Sequence, residues 1–373
     1  MLGYLQWDPS PALFNFNLPL LGRPVLWYGF LFAFGFFLGY VVLLYLLRRY
    51  FLLSPAFNEK EILSWGELLS RLQADSLMPR LKWRSGQPVS AALKTEVLSE
   101  LNTADVSASL PVALLSRFAR AKFASVEALQ RRLSWEKRLR PIVLTLKQRA
   151  KGVAEAITLY VVLGALIGAR LGDVLFYQNW QEIARHPATI LAFWEGGLAS
   201  HGGALGILLA LLLFAKRKGA EYQLTFLKTL DLAVIPTALA AVLIRLGNFM
   251  NQEILGTPTT LPWGVIFMHP AGGEAALPRH PVQLYEALGY FCIFLFLFYR
   301  FHRLFPVMKT GRTTGLFLIL VFAFRFAMEF FKTEQSAHLM HFPLTMGQLL
   351  SIPLIVWGFC LALRRHTARR RIL

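Results

Sequence analysis

Seven stretches of this chain are apolar for long enough to bridge or nearly bridge a bilayer. They run from Val25 to Leu47, Val153 to Tyr177, His201 to Ala215, Leu230 to Phe249, Gln283 to Tyr299, Gly315 to Phe331 and Met346 to Leu363. A hydrocarbon core about 30 Å thick takes about 20 helical residues to span, so each stretch predicts a membrane helix. The third is the shortest and predicts a broken or tilted one. The expected fold class is an all-α polytopic integral membrane protein with about seven transmembrane helices.

Between the first two stretches about 100 residues turn soluble in composition. Asn58 to Glu61 has the spacing of a capping box, and Ile62, Trp65, Leu69 and Leu72 follow at helical intervals. Pro88 and Asn102 bracket a second pattern with Leu93, Val97 and Leu101. Ser109 and Pro111 open a third, with Leu115, Phe118, Val126, Leu129 and Leu133. The chain thus divides into an N-terminal arm with the first transmembrane helix (1–49), a basic helical insert (50–151) and the remaining transmembrane helices (152–373), which carry most of the candidate site. The insert reads either as a docking or membrane-surface module or as a solvated insertion.

Basic residues orient the spans, because Lys and Arg near span ends stay cytoplasmic. Arg48 and Arg49 close the first span, Lys216, Arg217 and Lys218 the third, Arg300 and Arg303 the fifth, and Arg364, Arg365, Arg369, Arg370 and Arg371 the last. These are alternate ends, which predicts the N-terminus outside and the C-terminus cytoplasmic. The composition agrees with a membrane protein, at 55% hydrophobic and 16% charged residues. A net charge of +18 raises the question of nucleic acid, yet Arg48 to Gly152 holds 19 of the 39 basic residues against nine acidic ones. Topology and attraction to anionic lipid account for the charge, and no nucleic acid is expected. Cys292 and Cys360 lie inside apolar spans and imply no disulfide framework. The segment before Val25 holds Asp8 and no basic run, so it does not read as a cleavable signal.

Charged residues beside glycines mark candidate chemistry. The second span ends in Gly168-Ala-Arg170-Leu-Gly172-Asp173, and the third follows Glu195 and opens at His201-Gly-Gly203. The fourth ends as RLGNFMNQEILG from Arg245 to Gly256, and the sixth holds FRFAMEFFK from Phe324 to Lys332. An Arg at membrane depth costs about 2.5 to 3.5 kcal/mol, so it faces a partner or a wet cavity. Arg325 and Glu329, four apart, share a helical face, as do Arg245 and Asn248, three apart. Structural ion pairing explains any one such pair. Arg170, Arg245 and Arg325 together call for compensating acids or an anionic ligand, and a lipid phosphate suits guanidinium groups. His201, which follows Ser200 and precedes Gly202 and Gly203, reads as a structural histidine or as one placed for proton transfer or binding. No HExxH, paired CxxC, Walker loop or GxSxG elbow is present, so no metal site and no cofactor is expected.

With these motifs together, the chain resembles the bacterial prolipoprotein diacylglyceryl transferases. The resemblance rests on Arg245 to Gly256, on Trp27-Tyr28-Gly29, Gly168 to Gly172, His201 to Gly203, HPVQLYEA from His280 to Ala287, Arg325 to Glu329, and MGQLLSIP from Met346 to Pro353, all in family order. Ile244 stands where the family usually has Gly, Asp173 replaces a common aromatic, and the insert lengthens a normally short loop. The resemblance implies transfer of the diacylglyceryl group of phosphatidylglycerol to the lipobox cysteine thiol of a prolipoprotein, releasing glycerol 1-phosphate. It implies phosphatidylglycerol, prolipoprotein signal peptides and membrane lipids as partners, and the bacterial inner membrane as the location. Matched by position, His201, Arg245 and Arg325 become catalytic residues, and Tyr28, Arg170, Asn248, Glu253, Gly256 and Glu329 substrate-binding ones. His201 is then either the base that takes the thiol proton or a ligand that orients the head group.

Two other classes fit membrane-depth charge in principle. A transporter or lipid flippase commonly shows paired half-chain repeats, and none is evident here. An assembly protein would use the insert to recruit a partner and its membrane charges only for packing.

Overall fold

The computed structural model describes residues 3–17, 24–54, 146–191, 197, 199–305, 307–333 and 343–364. The three helical patterns expected between Asn58 and Leu133 lie outside these residues. Two compact units divide the chain, Met1–Leu46 with Ala154–Leu373, and Leu47–Val153. The side-chain contacts described below all lie within the first.

The described helices are α1 (Trp27–Leu53), α2 (Leu146–Phe176), the short α3 (Trp180–Arg185), α4 (Ser200–Tyr222), α5 (Phe226–Met250), α6 (Val282–Leu304), α7 (Arg312–Met328) and α8 (Met346–Leu363). Six of them, α1, α2, α5, α6, α7 and α8, are long and apolar enough to cross a membrane. The seventh expected span, α4, has 23 residues and is not among those six. Glycines crowd its start, and Lys216, Arg217 and Lys218 shorten its apolar stretch at the other end.

Burial follows the logic of a lipid solvent. Phe37, Leu159, Ile167, Leu288 and Val356 stand exposed, whereas Gln283, Glu286, Gln348, Thr313 and Ser351 are buried among the helices. Gln283, Glu286, Gln348 and Ser351 each find a hydrogen-bond partner inside, where hydrocarbon offers none.

Local chemistry sets the helix starts. The Thr225 hydroxyl accepts from the Lys228 N–H at 3.4 Å to cap α5. At α8, Thr345 and Gln348 form a reciprocal capping box, at 3.2 and 3.1 Å. The start of α7 is capped from another helix. Asp231 of α5 accepts from the Gly311 N–H at 2.6 Å, the Thr314 N–H at 2.8 Å and the Thr314 hydroxyl at 2.8 Å. A carboxylate there satisfies orphan donors and meets the positive end of the helix dipole.

An all-α fold was expected, and the structure adds five short strands. β1 (Leu5–Trp7) pairs in parallel with β4 (Val265–Phe267), which pairs antiparallel with β5 (Pro278–Arg279). β2 (Ala12–Asn17) and β3 (Pro24–Leu26) form a separate antiparallel pair. The first sheet packs over the end of α5. Trp7 stacks at 4.4 Å on Phe249 and donates its indole N–H to the Phe249 carbonyl at 3.1 Å, beside Leu255, Val265 and Phe267.

Candidate active site

The last turn of α5 carries Arg245 and Asn248 on one face, and the helix then ends in a strained loop. Gln252 and Ile254 both have left-handed backbone, with φ of 54° and 57°. That conformation costs an L residue about 1 to 2 kcal/mol and is exceptional for β-branched Ile. Surrounding bonds hold it. Gln252 accepts from the His269 N–H at 2.7 Å and the Ala271 N–H at 3.1 Å. The Gln283 amide donates to the Glu253 carbonyl at 2.7 Å, and the Glu253 N–H donates to the Asn248 carbonyl at 2.9 Å.

The strain turns the Glu253 side chain back onto the helix. Its carboxylate accepts from the Asn248 amide at 3.0 Å and the Asn251 amide at 2.9 Å. The Asn248 oxygen in turn accepts from the Arg245 guanidinium at 3.2 Å. Asn248 therefore couples a cation to a carboxylate and is itself buried. Tyr28, at the start of α1, packs its ring against Gly247, where an added Cβ would lie 2.8 Å from the ring. It is close enough to Arg245 and Glu253 to feel both charges. Gly256 is packed so tightly that a Cβ would strike the His280 carbonyl. The Gly256 carbonyl accepts from Arg279 at 3.1 Å and from the Thr333 hydroxyl at 3.2 Å. Gly256 thus joins the loop to the segments that follow β5 and α7.

A chain of alternating charges runs from Arg245 to Arg325. Arg245 Nε lies 3.0 Å from Glu286 Oε2, too poorly aligned to count as a hydrogen bond, so the attraction is mainly Coulombic. Glu286 Oε1 meets Lys332 Nζ at 2.9 Å, and the same Nζ meets Glu329 Oε1 at 2.9 Å. Arg325 Nε stands off Glu329 at 3.9 Å. The Tyr290 hydroxyl donates to Glu286 at 3.4 Å. With Glu253 included, three cations face three carboxylates. Acids within the protein therefore supply the compensation that the arginines demanded. Arg325 is the least engaged cation, its side chain 34% exposed against 12% for Arg245.

Arg170 and His201 occupy the junction of α2 and α4. Gly164, Gly168 and Gly172 face Gly202 and Gly206 so closely that a Cβ on Gly168 or Gly202 would run into the partner helix backbone. Arg170 is buried and spends its guanidinium on Asp173 at 3.3 Å, Ile190 at 3.0 Å, Gly197 at 3.2 Å and Thr189. It thereby fixes the chain between α2 and α4. His201 is exposed on the first turn of α4 and makes no hydrogen bond or ion pair among the described residues. A three-residue turn links α4 to α5, which pack together, so the hairpin is antiparallel and His201 and Arg245 sit toward the same end. No direct contact joins His201 to the Arg245–Arg325 chain among the described residues.

Glu286 and Lys332 were not singled out as site residues, although HPVQLYEA and FRFAMEFFK contain them. Their signal was available, since both are ionisable groups at membrane depth. Gln283, Asn251 and Arg279 act through contacts that only the fold creates. Among the described residues no three of His, Cys, Asp and Glu gather where they would hold a metal ion.

Comparison with known proteins places the chain in a family. The family model described as prolipoprotein diacylglyceryl transferase matches residues 128–364. A phosphatidylglycerol–prolipoprotein diacylglyceryl transferase of Protochlamydia amoebophila is 38% identical over 98% of this chain and 96% of its own length. Enzymes of the same name from Chlamydia caviae and Tolumonas auensis are 44% and 48% identical, over 58% and 55% of this chain and 74% and 76% of theirs. The first match runs through the 50–151 segment; the other two span little more than half of the chain.

Proposed function

The chain belongs to the prolipoprotein diacylglyceryl transferase family, and from that membership we propose the activity that its relatives' names carry. It is a multi-pass membrane transferase that moves the diacylglyceryl group of phosphatidylglycerol onto a prolipoprotein, the first step of lipoprotein lipidation. The acceptor is the thiol of a lipobox cysteine. The observation that carries this reading is the Arg245–Asn248–Glu253 network, held by a strained loop at a span end and connected by charge to Arg325.

The reaction forms a bond from the cysteine sulfur to the glyceryl carbon and breaks that carbon's bond to the phosphate oxygen. The electron pair leaves on the phosphate as glycerol 1-phosphate, and the thiol proton goes to His201. A free thiol has a pKa of about 8.5 and needs a base or an electropositive site to react as thiolate. Arg245 and Arg325 meet the charge that grows on the leaving phosphate. Glu253 and Asn248 hold Arg245 in place, Tyr28 packs beside them, Glu329 tunes Arg325, and Gly256 and Arg170 fix the backbone on which the site rests.

Six apolar helices support a multi-pass membrane protein, to which we add α4 as a seventh span and the bacterial inner membrane as the location. In this reading the N-terminus is outside and the insert cytoplasmic, as the basic span ends support. A cysteine introduced at Ser85 is expected to resist an impermeant thiol reagent on intact spheroplasts and to react once they are lysed. Labelling before lysis would reverse the orientation.

The activity is tested by incubating purified protein with phosphatidylglycerol and a lipobox peptide and looking by mass spectrometry for the added diacylglyceryl mass. The Cys peptide is expected to be modified and its Cys→Ser version untouched; equal labelling, or none, refutes the reading. In the same assay His201→Gln is expected to lower turnover about 100-fold with little change in lipid binding, because Gln cannot take a proton at neutral pH. Weaker lipid binding at unchanged turnover would instead make His201 a head-group ligand.

A further inference from the structure

Arg325 and Glu329 lie one helical turn apart, the spacing at which an Arg and a Glu normally close into a tight pair. They do not close here, for Nε and Oε1 remain 3.9 Å apart. Three neighbours account for that. After Met328 the chain tightens into a 3-10 turn over Glu329–Phe331, which stacks Lys332 above Glu329 and brings Nζ to Oε1 at 2.9 Å. The other carboxylate oxygen, Oε2, accepts from the Thr345 hydroxyl at 3.3 Å. Gly347 of α8 crowds the carboxylate, leaving no space there for even a Cβ. Both oxygens of Glu329 are therefore engaged without Arg325.

Lys332 is fixed as firmly as the carboxylate it holds. Its backbone bridges to Gly256, its Nζ also meets the fully buried Glu286 at 2.9 Å, and only 7% of its side chain is exposed. One ammonium, with three protons to give, thus occupies the two acids that stand nearest the arginines.

We propose that Lys332 is a positioning residue for the transfer reaction. By holding Glu329 against the 3-10 turn, it leaves the Arg325 guanidinium open to the phosphate of the lipid donor. Without Lys332, Glu329 closes on Arg325 and neutralises it before the substrate arrives. The inference rests on the phosphate-binding role given to Arg325 above.

Lys332→Met, Lys332→Arg and the charge-balanced double variant Lys332→Met/Glu329→Gln test it, each compared at equal folded protein in the phosphatidylglycerol and peptide assay. Lys332→Met is expected to raise KM for phosphatidylglycerol and lower kcat, each about 10-fold, with KM for the peptide unchanged. Lys332→Arg should recover most of the loss, since it can still reach both acids. The double variant should turn over faster than Lys332→Met alone, because the acid that competes for Arg325 has lost its charge. Constants like those of wild type in Lys332→Met would overturn the proposal. So would a double variant no faster than the single, which would leave Lys332 with a packing role only. Failure of the wild-type chain itself to modify the peptide would strike the assigned activity instead.

Discussion

Arg245→Lys is expected to lower turnover about 100-fold at saturating phosphatidylglycerol, the range seen when one aimed donor to a developing negative charge is lost. The charge survives in this variant but the fork does not. Arg245 reaches Glu286 with Nε and Asn248 with a terminal nitrogen at the same time. A single ammonium cannot span those directions and still present two parallel donors to a phosphate. Arg325→Lys should behave similarly, with a larger share of its defect in lipid KM, because Arg325 has the looser protein contacts. The check is kcat and KM by mass spectrometry on protein shown to insert and fold. Wild-type turnover in Arg245→Lys would reduce the residue to a packing or topological charge.

The second large effect is expected at a residue that touches no substrate. A Cβ on Gly202 would run into the Gly168 carbonyl oxygen and lie 2.8 Å from the Gly172 Cα, so Gly202→Ala must push α2 and α4 apart. Overpacking of this kind costs about 1 to 3 kcal/mol, and a displacement near 1 Å at a catalytic group costs about 100-fold in rate. His201 is the next residue along and moves with the backbone. Gly203→Ala is the control, since its nearest neighbours would be at an ordinary 3.5 Å. Thermal unfolding in detergent and turnover are expected to separate the two variants, with Gly202→Ala impaired in both and Gly203→Ala near wild type. Equal behaviour would mean that the helices adjust freely at this contact.

The helices were legible because a bilayer demands long apolar runs, and the run from Met346 to Leu363 coincides with α8 at both ends. The strands were not, since β1 and β4 have three residues each and pair across some 260 residues of sequence. Too short for an alternating pattern, they exist only because Trp7 finds Phe249 and the neighbouring apolar cluster. The signature from Arg245 to Gly256 was visible as a motif, but the left-handed backbone at Gln252 and Ile254, which aims Glu253, depends on His269, Ala271 and Gln283 from later in the chain. Arg170 reads from sequence as a cation that needs either acids of the protein or an anionic ligand. Folded, it is engaged by Asp173, which the three-residue spacing could have disclosed, and by three backbone carbonyls, which no spacing rule discloses.

The carboxylate of Asp231 makes α5 and α7 behave like the legs of a calliper. It fastens the start of α7 to the second turn of α5, while the two arginines ride at the far tips. At 1.5 Å per residue, Arg245 lies roughly 21 Å along its leg from that hinge, and Arg325 about 17 Å along the other. A slip of α7 by a single residue at the hinge would advance Arg325 by about 1.5 Å and swing it about 100° round the axis, enough to take its guanidinium out of reach of a phosphate gripped by Arg245. The relative setting of Arg245 and Arg325 is therefore held at the opposite end of the helices, by the Asp231 carboxylate.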